Sequence, residues 1–323
     1  MTKPKISIIG AGNVGATTAY LMAAKELGNI VLFDIAEGIP QGKALDMQQA
    51  SHIEDFNVSV KGTNNYEDTK NSDIIVVSAG IPRKPGMSRD ELLANNAKIV
   101  KEVTLNAIRY SPNSILIVVT NPLDAMAHVA AKISNFSKKR VIGMAGILDS
   151  ARFSAFIAQE LNVAAADVDA LVIGSHSDLM VPLARYSTVN GIPITELISK
   201  EKIDVIVERT RKAGQEIVNL LKTGSAFYAP AASIMEMIEA IVKDKKKVLP
   251  CTAYCTKYKE DNANCFIGVP VKLGKEGVEQ IIELELTQEE KDDFNKSVKY
   301  VKGLTASAEK FLQDEKDKNN VSC

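Results

Sequence analysis

Residues 5–15 read KISIIGAGNVG: a short apolar run, then G-x-G-x-x-G, then an amphipathic stretch that reaches Leu27. In such a stretch Gly10 permits the tight turn, Gly12 lets the backbone approach a ligand, and Gly15 lets helix and strand pack closely. A helix that starts here aims its unpaired N–H groups and positive dipole end at the turn, which suits a pyrophosphate. Asn13 and Val14 open that helix and belong to the same candidate site. A second apolar run, NIVLFDI, carries Asp34, 19 residues after Gly15. A carboxylate there accepts hydrogen bonds from ribose hydroxyls and repels a 2′-phosphate, so the expected cofactor is NAD rather than NADP. A purely structural glycine turn is the competing reading; strand, helix and acid in sequence count against it.

Outward from this turn the pattern repeats. VSVKGT (58–63), SDIIVVSAG (72–80), SILIVVT (114–120) and KRVIGM (139–144) are strand-like runs with helical segments between them. Apolar runs alternating with helices predict a doubly wound parallel sheet of Rossmann type. The second half differs. ALVIGSH and MVPLARYSTVNGIPI read as strands or a hairpin, and helices follow at about 201–222 and 227–244. VLPCTAYCTKY, NCFIGVPVKLG and VEQIIELEL read as an antiparallel meander, and a last helix starts near TQEEKDDFNKSV. The expectation is an α/β dinucleotide-binding domain over 1–145 and a mixed α+β substrate domain over 146–323. KDKKK (243–247) reads as a solvated helix end and QDEKDKNNVSC (313–323) as a fraying tail.

The totals exclude several classes. With 39 Lys+Arg against 40 Asp+Glu among 323 residues, no long-range field draws nucleic acid or anionic lipid. No apolar run approaches the roughly 18–20 residues a membrane helix needs. The strand pattern begins almost at the first residue, so no signal or transit peptide is expected. Cys251, Cys255, Cys265 and Cys323 lack nearby ligand partners, the histidines being His52, His128 and His176. They read as reduced thiols of a cytoplasmic protein with no metal site.

Three further stretches bear on chemistry, each ambiguous alone. LDSARF (148–153) sets Asp149 and Arg152 three residues apart at a helix start, and by itself reads equally as a cap with a surface ion pair. GSHSDLMVPL places His176 just past an apolar strand, where a solvent-facing turn histidine is the alternative. SRDELL is a capping box from Ser88 to Glu91 that puts Arg89 in the first helical turn, against the dipole. Hydride transfer to or from a secondary alcohol links them. It needs a proton acceptor such as histidine, and a carboxylate to orient it. It also needs a guanidinium to grip a substrate carboxylate and a second cation to polarise the carbonyl. Asn121 in TNPLD sits at the carboxyl edge of the sheet, where ligands of such folds bind.

With these motifs in place the sequence resembles the lactate/malate dehydrogenase family over essentially its whole length. The resemblance implies that His176 is the acid/base, Asp149 its partner, Arg152 the carboxylate-binding arginine, Arg89 the arginine of a loop that closes over substrate, and Asn121 a substrate and cofactor contact. It also speaks to RKPGMSR (83–89). In the family, the residue six before the loop arginine selects substrate: glutamine suits pyruvate, arginine suits a dicarboxylate. Position 83 is arginine, and VIGMAGILDSARF, GSAFYAPAAS and Ala226 also resemble the malate-type branch. The implied substrate is thus a small dicarboxylate, with Arg83 on its distal carboxylate, in a homo-oligomer, tetramer or dimer. One departure stands out: Ser175 and Ser177 replace the glycines usual beside the histidine. A lactate dehydrogenase and an NAD-binding sensor without turnover remain alternatives. A Tyr–Lys reductase pair is discounted, because Tyr254 and Lys257 are three apart rather than four.

Overall fold

A computed structural model of the chain describes residues 3–82, 86–256, 258 and 262–321. The first half alternates β1 (Lys5–Ile9), α1 (Asn13–Ala24), β2 (Asn29–Phe33), α2 (Ile39–Ala50), β3 (Val60–Thr63), β4 (Ile74–Val77), α3 (Arg89–Tyr110), β5 (Ile115–Val118), α4 (Leu123–Ser134) and β6 (Val141–Gly143). Then come α5 (Gly146–Leu161), the short strands β7 (Val168–Asp169), β8 (Val172–Ile173), β9 (Val181–Pro182), β10 (Thr188–Val189) and β11 (Ile192–Pro193), and the turn of helix α6 (Ile194–Leu197). Helices α7 (Lys200–Leu221) and α8 (Tyr228–Val242) lead to β12 (Lys247–Cys255), β13 (Cys265–Gly274), β14 (Gly277–Ile281) and α9 (Gln288–Val321).

The first six strands are parallel in the order β3-β2-β1-β4-β5-β6. Every residue of β4 and β5 is buried, because helices cover both faces and each strand must be apolar on both sides. Alternation assigns the faces. Ile74 and Val76 pack with α1 and α8, whereas Ile75 and Val77 pack with α3, α4 and α9. The order of winding reverses between β1 and β4, so a crevice opens beyond their carboxyl ends.

The antiparallel meander expected in the second half is present. β12, β13 and β14 pair antiparallel and continue the parallel sheet, giving nine strands among the described residues. The join is one register pair, Thr252 opposite Gly143. A Cβ on Gly143 would lie 2.8 Å from the Cβ of Thr252, so the glycine is what lets the two strands meet. A smaller core lies within the second half, where Phe153 and Ile157 of α5 pack with Ile203 and Ile206 of α7.

The charged segments are more ordered than the sequence implies. In KDKKK, Lys243 and Lys245 both pair with Glu239, at 2.8 and 3.1 Å. The last helix runs on to Val321 through most of the expected tail, with Gln313 donating to Asp317 one turn on, at 3.0 Å. Cys251, Cys255 and Cys265 are buried, and burial pushes the thiols of Cys251 and Cys265 up to about 12, where they stay protonated. Cys323 lies outside the described residues. No helix among the described residues is long and apolar enough to cross a membrane.

The glycines of the first turn differ in what they protect. A Cβ on Gly15 would lie 1.9 Å from the Gly10 carbonyl oxygen, whereas one on Gly12 meets nothing within 4 Å. Gly15→Ala should therefore lose about 2–3 kcal/mol of stability in urea unfolding. Gly12→Ala should stay within about 0.5 kcal/mol of the wild type.

Candidate active site

The G-x-G-x-x-G turn lies at the crevice. Gly10 has φ +113°, a left-handed conformation that side chains resist, and its N–H donates to Phe33 at 2.8 Å. Asp34 accepts from the N–H of Ala11 at 2.7 Å and of Ala36 at 3.0 Å, which fixes the acid on the turn. Lys43 of α2 donates to the Ala11 carbonyl at 2.7 Å, a contact the sequence did not reveal. Helix α1 starts at Asn13 with Gly12 at its cap and no side-chain cap bond. First-turn N–H groups without a side-chain cap, beside a glycine with open space where its Cβ would be, fit a dinucleotide phosphate.

The second cluster forms where α5 meets the loop after β8. Asp149, its side chain 2% exposed, accepts from His176 Nδ1 at 2.7 Å and from Arg152 Nη1 at 3.2 Å. A carboxylate this dry holds its charge only with such partners. Because Asp149 is acceptor-only when ionised, the Nδ1 proton is fixed and Nε2 is left for exchange. Burial works against the His176 cation, but the charge and hydrogen bond of Asp149 outweigh it, and the pKa stands above the ordinary 6.5. Arg152 Nε is buried with no hydrogen-bond partner among the described residues. A guanidinium 13% exposed with an unsatisfied donor is prepared for an anion.

Arg89 is the first residue of α3, behind the expected capping box of Ser88 and Glu91. It lines a cleft of about 410 Å³ with Ser177, Asp178, Leu179 and Tyr300, beside His176 in the chain. Asn121 is exposed just past β5, its carbonyl held by Asn96 Nδ2 at 2.7 Å. Arg83 and Lys84 lie outside the described residues. Among the described residues no group of three or more His, Cys, Asp or Glu side chains could hold a metal ion.

Two supporting residues escaped sequence reasoning. Asp124, the acid of TNPLD, reads as an ordinary first-turn acid. In the fold it is buried, accepting from the His176 backbone N–H at 2.9 Å and from the Thr252 hydroxyl at 2.9 Å. Burial lifts its pKa to about 6 against those bonds. Asn96, inside α3, bonds both the N–H and the carbonyl of Ile81, at 2.9 and 3.1 Å, and so ties the segment entering RKPGMSR to Asn121. The remaining signal in sequence is an amide beside Leu93, Ala97, Val100 and Val103 on the buried face of α3.

Comparison with known proteins agrees with this layout. A family model described as the NAD binding domain of lactate/malate dehydrogenase matches residues 4–143, and one described as the alpha/beta C-terminal domain matches 147–312. A malate dehydrogenase of Chlorobium limicola is 56% identical, covering 92% of this chain and 96% of that one. The apo malate dehydrogenase of Picrophilus torridus superposes with TM-score 0.93 at 50% identity, over 97% of this chain and 99% of that chain. A lactate dehydrogenase of Cryptosporidium parvum, solved with lactic acid and nicotinamide adenine dinucleotide, gives 0.92 at 43% identity, over 96% and 99%.

The His176–Asp149 pair is open to direct titration. In NMR of labelled histidine, His176 should titrate above 6.5 in the wild type. Asp149→Asn should bring it down, because burial then acts with little opposition.

Proposed function

The chain belongs to the lactate/malate dehydrogenase family, and on that premise we propose how its site performs the reversible oxidation of malate to oxaloacetate with NAD. The observation that carries the reading is the shared carboxylate: Asp149 holds His176 and Arg152 side by side. NAD, when bound, takes up or returns the hydride. Gly10, Gly12, Asn13, Val14 and Gly15 supply the phosphate turn, Asp34 the ribose contact, and Asn121 the edge of the pocket near the reacting end.

The residues of the chain do the rest. Arg152 pairs with the substrate carboxylate next to the reacting carbon, using donors that Asp149 leaves available. His176 takes the hydroxyl proton at Nε2 during malate oxidation and returns it during oxaloacetate reduction. Asp149 stabilises the imidazolium and keeps the ring in one tautomer. Arg89 polarises the carbonyl from the start of α3. Arg83 meets the distal carboxylate. The arginine at position 83 and the malate dehydrogenases at 54–58% identity support the dicarboxylate over pyruvate. A charged arginine facing a methyl group in a closed site would be left unpaired, which disfavours lactate and pyruvate.

We propose two functional units, 1–145 for NAD and 146–323 for substrate, in line with the ends of the two family matches at 143 and 147. A cytoplasmic homo-oligomer, tetramer or dimer, is part of the same proposal. Helix α7 leaves Val205, Leu220 and Leu221 exposed, which supports subunit packing there. Helix α8 is less suited, because its apolar residues pack within the chain against α1.

The deciding experiment is NADH oxidation with oxaloacetate and with pyruvate, side by side. Oxaloacetate should be strongly preferred; a preference for pyruvate would overturn the substrate assignment. Arg83→Gln should abolish most oxaloacetate turnover and bring in some with pyruvate. His176→Asn should cut turnover by about 10²–10⁴-fold while NADH still binds. The pH dependence has a definite sign. Oxaloacetate reduction needs the imidazolium, so kcat/KM should be full below the His176 pKa and fall above it, in the range above 6.5. Malate oxidation should rise through the same range.

A further inference from the structure

Where the family usually has glycine, this chain has Ser175 and Ser177 around His176, and their hydroxyls are engaged with each other and with α9. Ser175 Oγ lies 2.7 Å from Ser177 Oγ and 3.3 Å from Ser297 Oγ. The N–H of Leu179 donates to Ser177 Oγ at 3.1 Å, and Ser297 Oγ donates to the Leu179 carbonyl.

Counting protons gives the direction of every bond. Each hydroxyl has one proton to give. A carbonyl can only accept, so the Ser297 proton goes to Leu179. Ser175 must then donate to Ser297, and Ser177 to Ser175. The Leu179 N–H fills the acceptor left on Ser177. The chain of bonds starts and ends on Leu179 and closes a ring around residues 175–179. Ser175 also donates its backbone N–H to Ser297 Oγ at 3.3 Å. Ser297 is fully buried and Ser175 is 1% exposed, so water does not compete for the bonds between these two residues. Space for the ring comes from Gly174: a Cβ there would stand 2.8 Å from Ser297 Oγ.

We propose that Ser177, Ser175 and Ser297 form a one-way hydroxyl relay that clamps the His176 loop onto α9, making all three positioning residues for proton transfer at His176. This rests on the reading of His176 as the acid/base. With glycines at 175 and 177 the loop would keep only the bonds of the Ser297 hydroxyl to the backbone of residues 175 and 179, and the ring would be open. The relay replaces that opening with a fixed path from the last helix to both neighbours of the histidine. Asp124 holds the His176 N–H from the other side, at 2.9 Å. The loop is thus gripped from α4 and from α9 at once.

The test compares Ser177→Ala, Ser297→Ala and the double variant in the full-length enzyme. Each single change should lower kcat for oxaloacetate reduction about tenfold, the scale of a small misplacement of a reacting group. KM for oxaloacetate and Kd for NADH should not move, and amide exchange at Leu179 should quicken. The double variant should be no worse than the worse single, because either change opens the ring. Ser177 is half-buried and its removal should leave the fold intact, so it carries the test should Ser297→Ala not fold. Wild-type kcat and Leu179 exchange in Ser177→Ala would overturn the proposal, as would losses that multiply in the double variant. Failure of the underlying reading looks different: His176→Asn would keep its turnover, or the wild type would not act on oxaloacetate at all.

Discussion

Asp149 sits in the first turn of α5 with its side chain 2% exposed, and a carboxylate so dry must be paired or protonated. Its two partners are a histidine from another segment and the arginine one turn along its own helix. That single constraint organises the site. It raises the His176 pKa, fixes which ring nitrogen is available, and orients Arg152 while leaving its Nε without a partner among the described residues. Removing either cationic partner would leave buried negative charge exposed to its desolvation penalty, so the three side chains stand or fall together.

The sheet delivers these groups to one place. The glycine turn after β1 and Asn121 after β5 lie at the carboxyl edge of the parallel strands, while α5 starts directly beyond β6. The junction with the meander lies under the same edge. Thr252 faces Gly143 across the join and gives its hydroxyl to Asp124, which holds the His176 backbone. One threonine therefore serves both the continuity of the sheet and the placement of the histidine. A change at the join, far from His176 in sequence, is felt at the loop that carries His176.

The sequence carried the parts that depend on local rules. The glycine turn was legible because Gly10 answers its own positive φ and Gly15 a close approach to the Gly10 carbonyl five residues back. The capping box at Ser88 and the i,i+3 spacing of Asp149 and Arg152 were legible for the same reason. The interactions that join distant segments were not. Nothing near Asp124 announces that its partners are residues 176 and 252, and nothing near Ser297 points to residue 175. The serines beside His176 stand out in sequence only as a departure from the family pattern, with no partner indicated. Their hydroxyls are instead bonded toward α9, because Gly174 at φ +88° leaves Ser297 room to approach. The extent of the sheet is not legible in sequence for a similar reason, since one register pair decides whether the meander joins it.

A division of labour follows from how these groups are held. His176 is fixed by contacts from α4 and α5 at 2.9 and 2.7 Å, and its neighbour Ser175 by one from α9 at 3.3 Å. Arg89 stands at an exposed helix start, where its cation opposes the dipole and its neighbours are the walls of an open cleft. In the proposed reaction the proton-transfer group is thus built in advance, and the cation proposed to polarise the carbonyl is stabilised chiefly by the arriving substrate. On the proposed roles, binding energy from a second carboxylate at Arg83 would then favour placing Arg89, only six residues on, and would couple recognition of the dicarboxylate to activation of its carbonyl through one short segment.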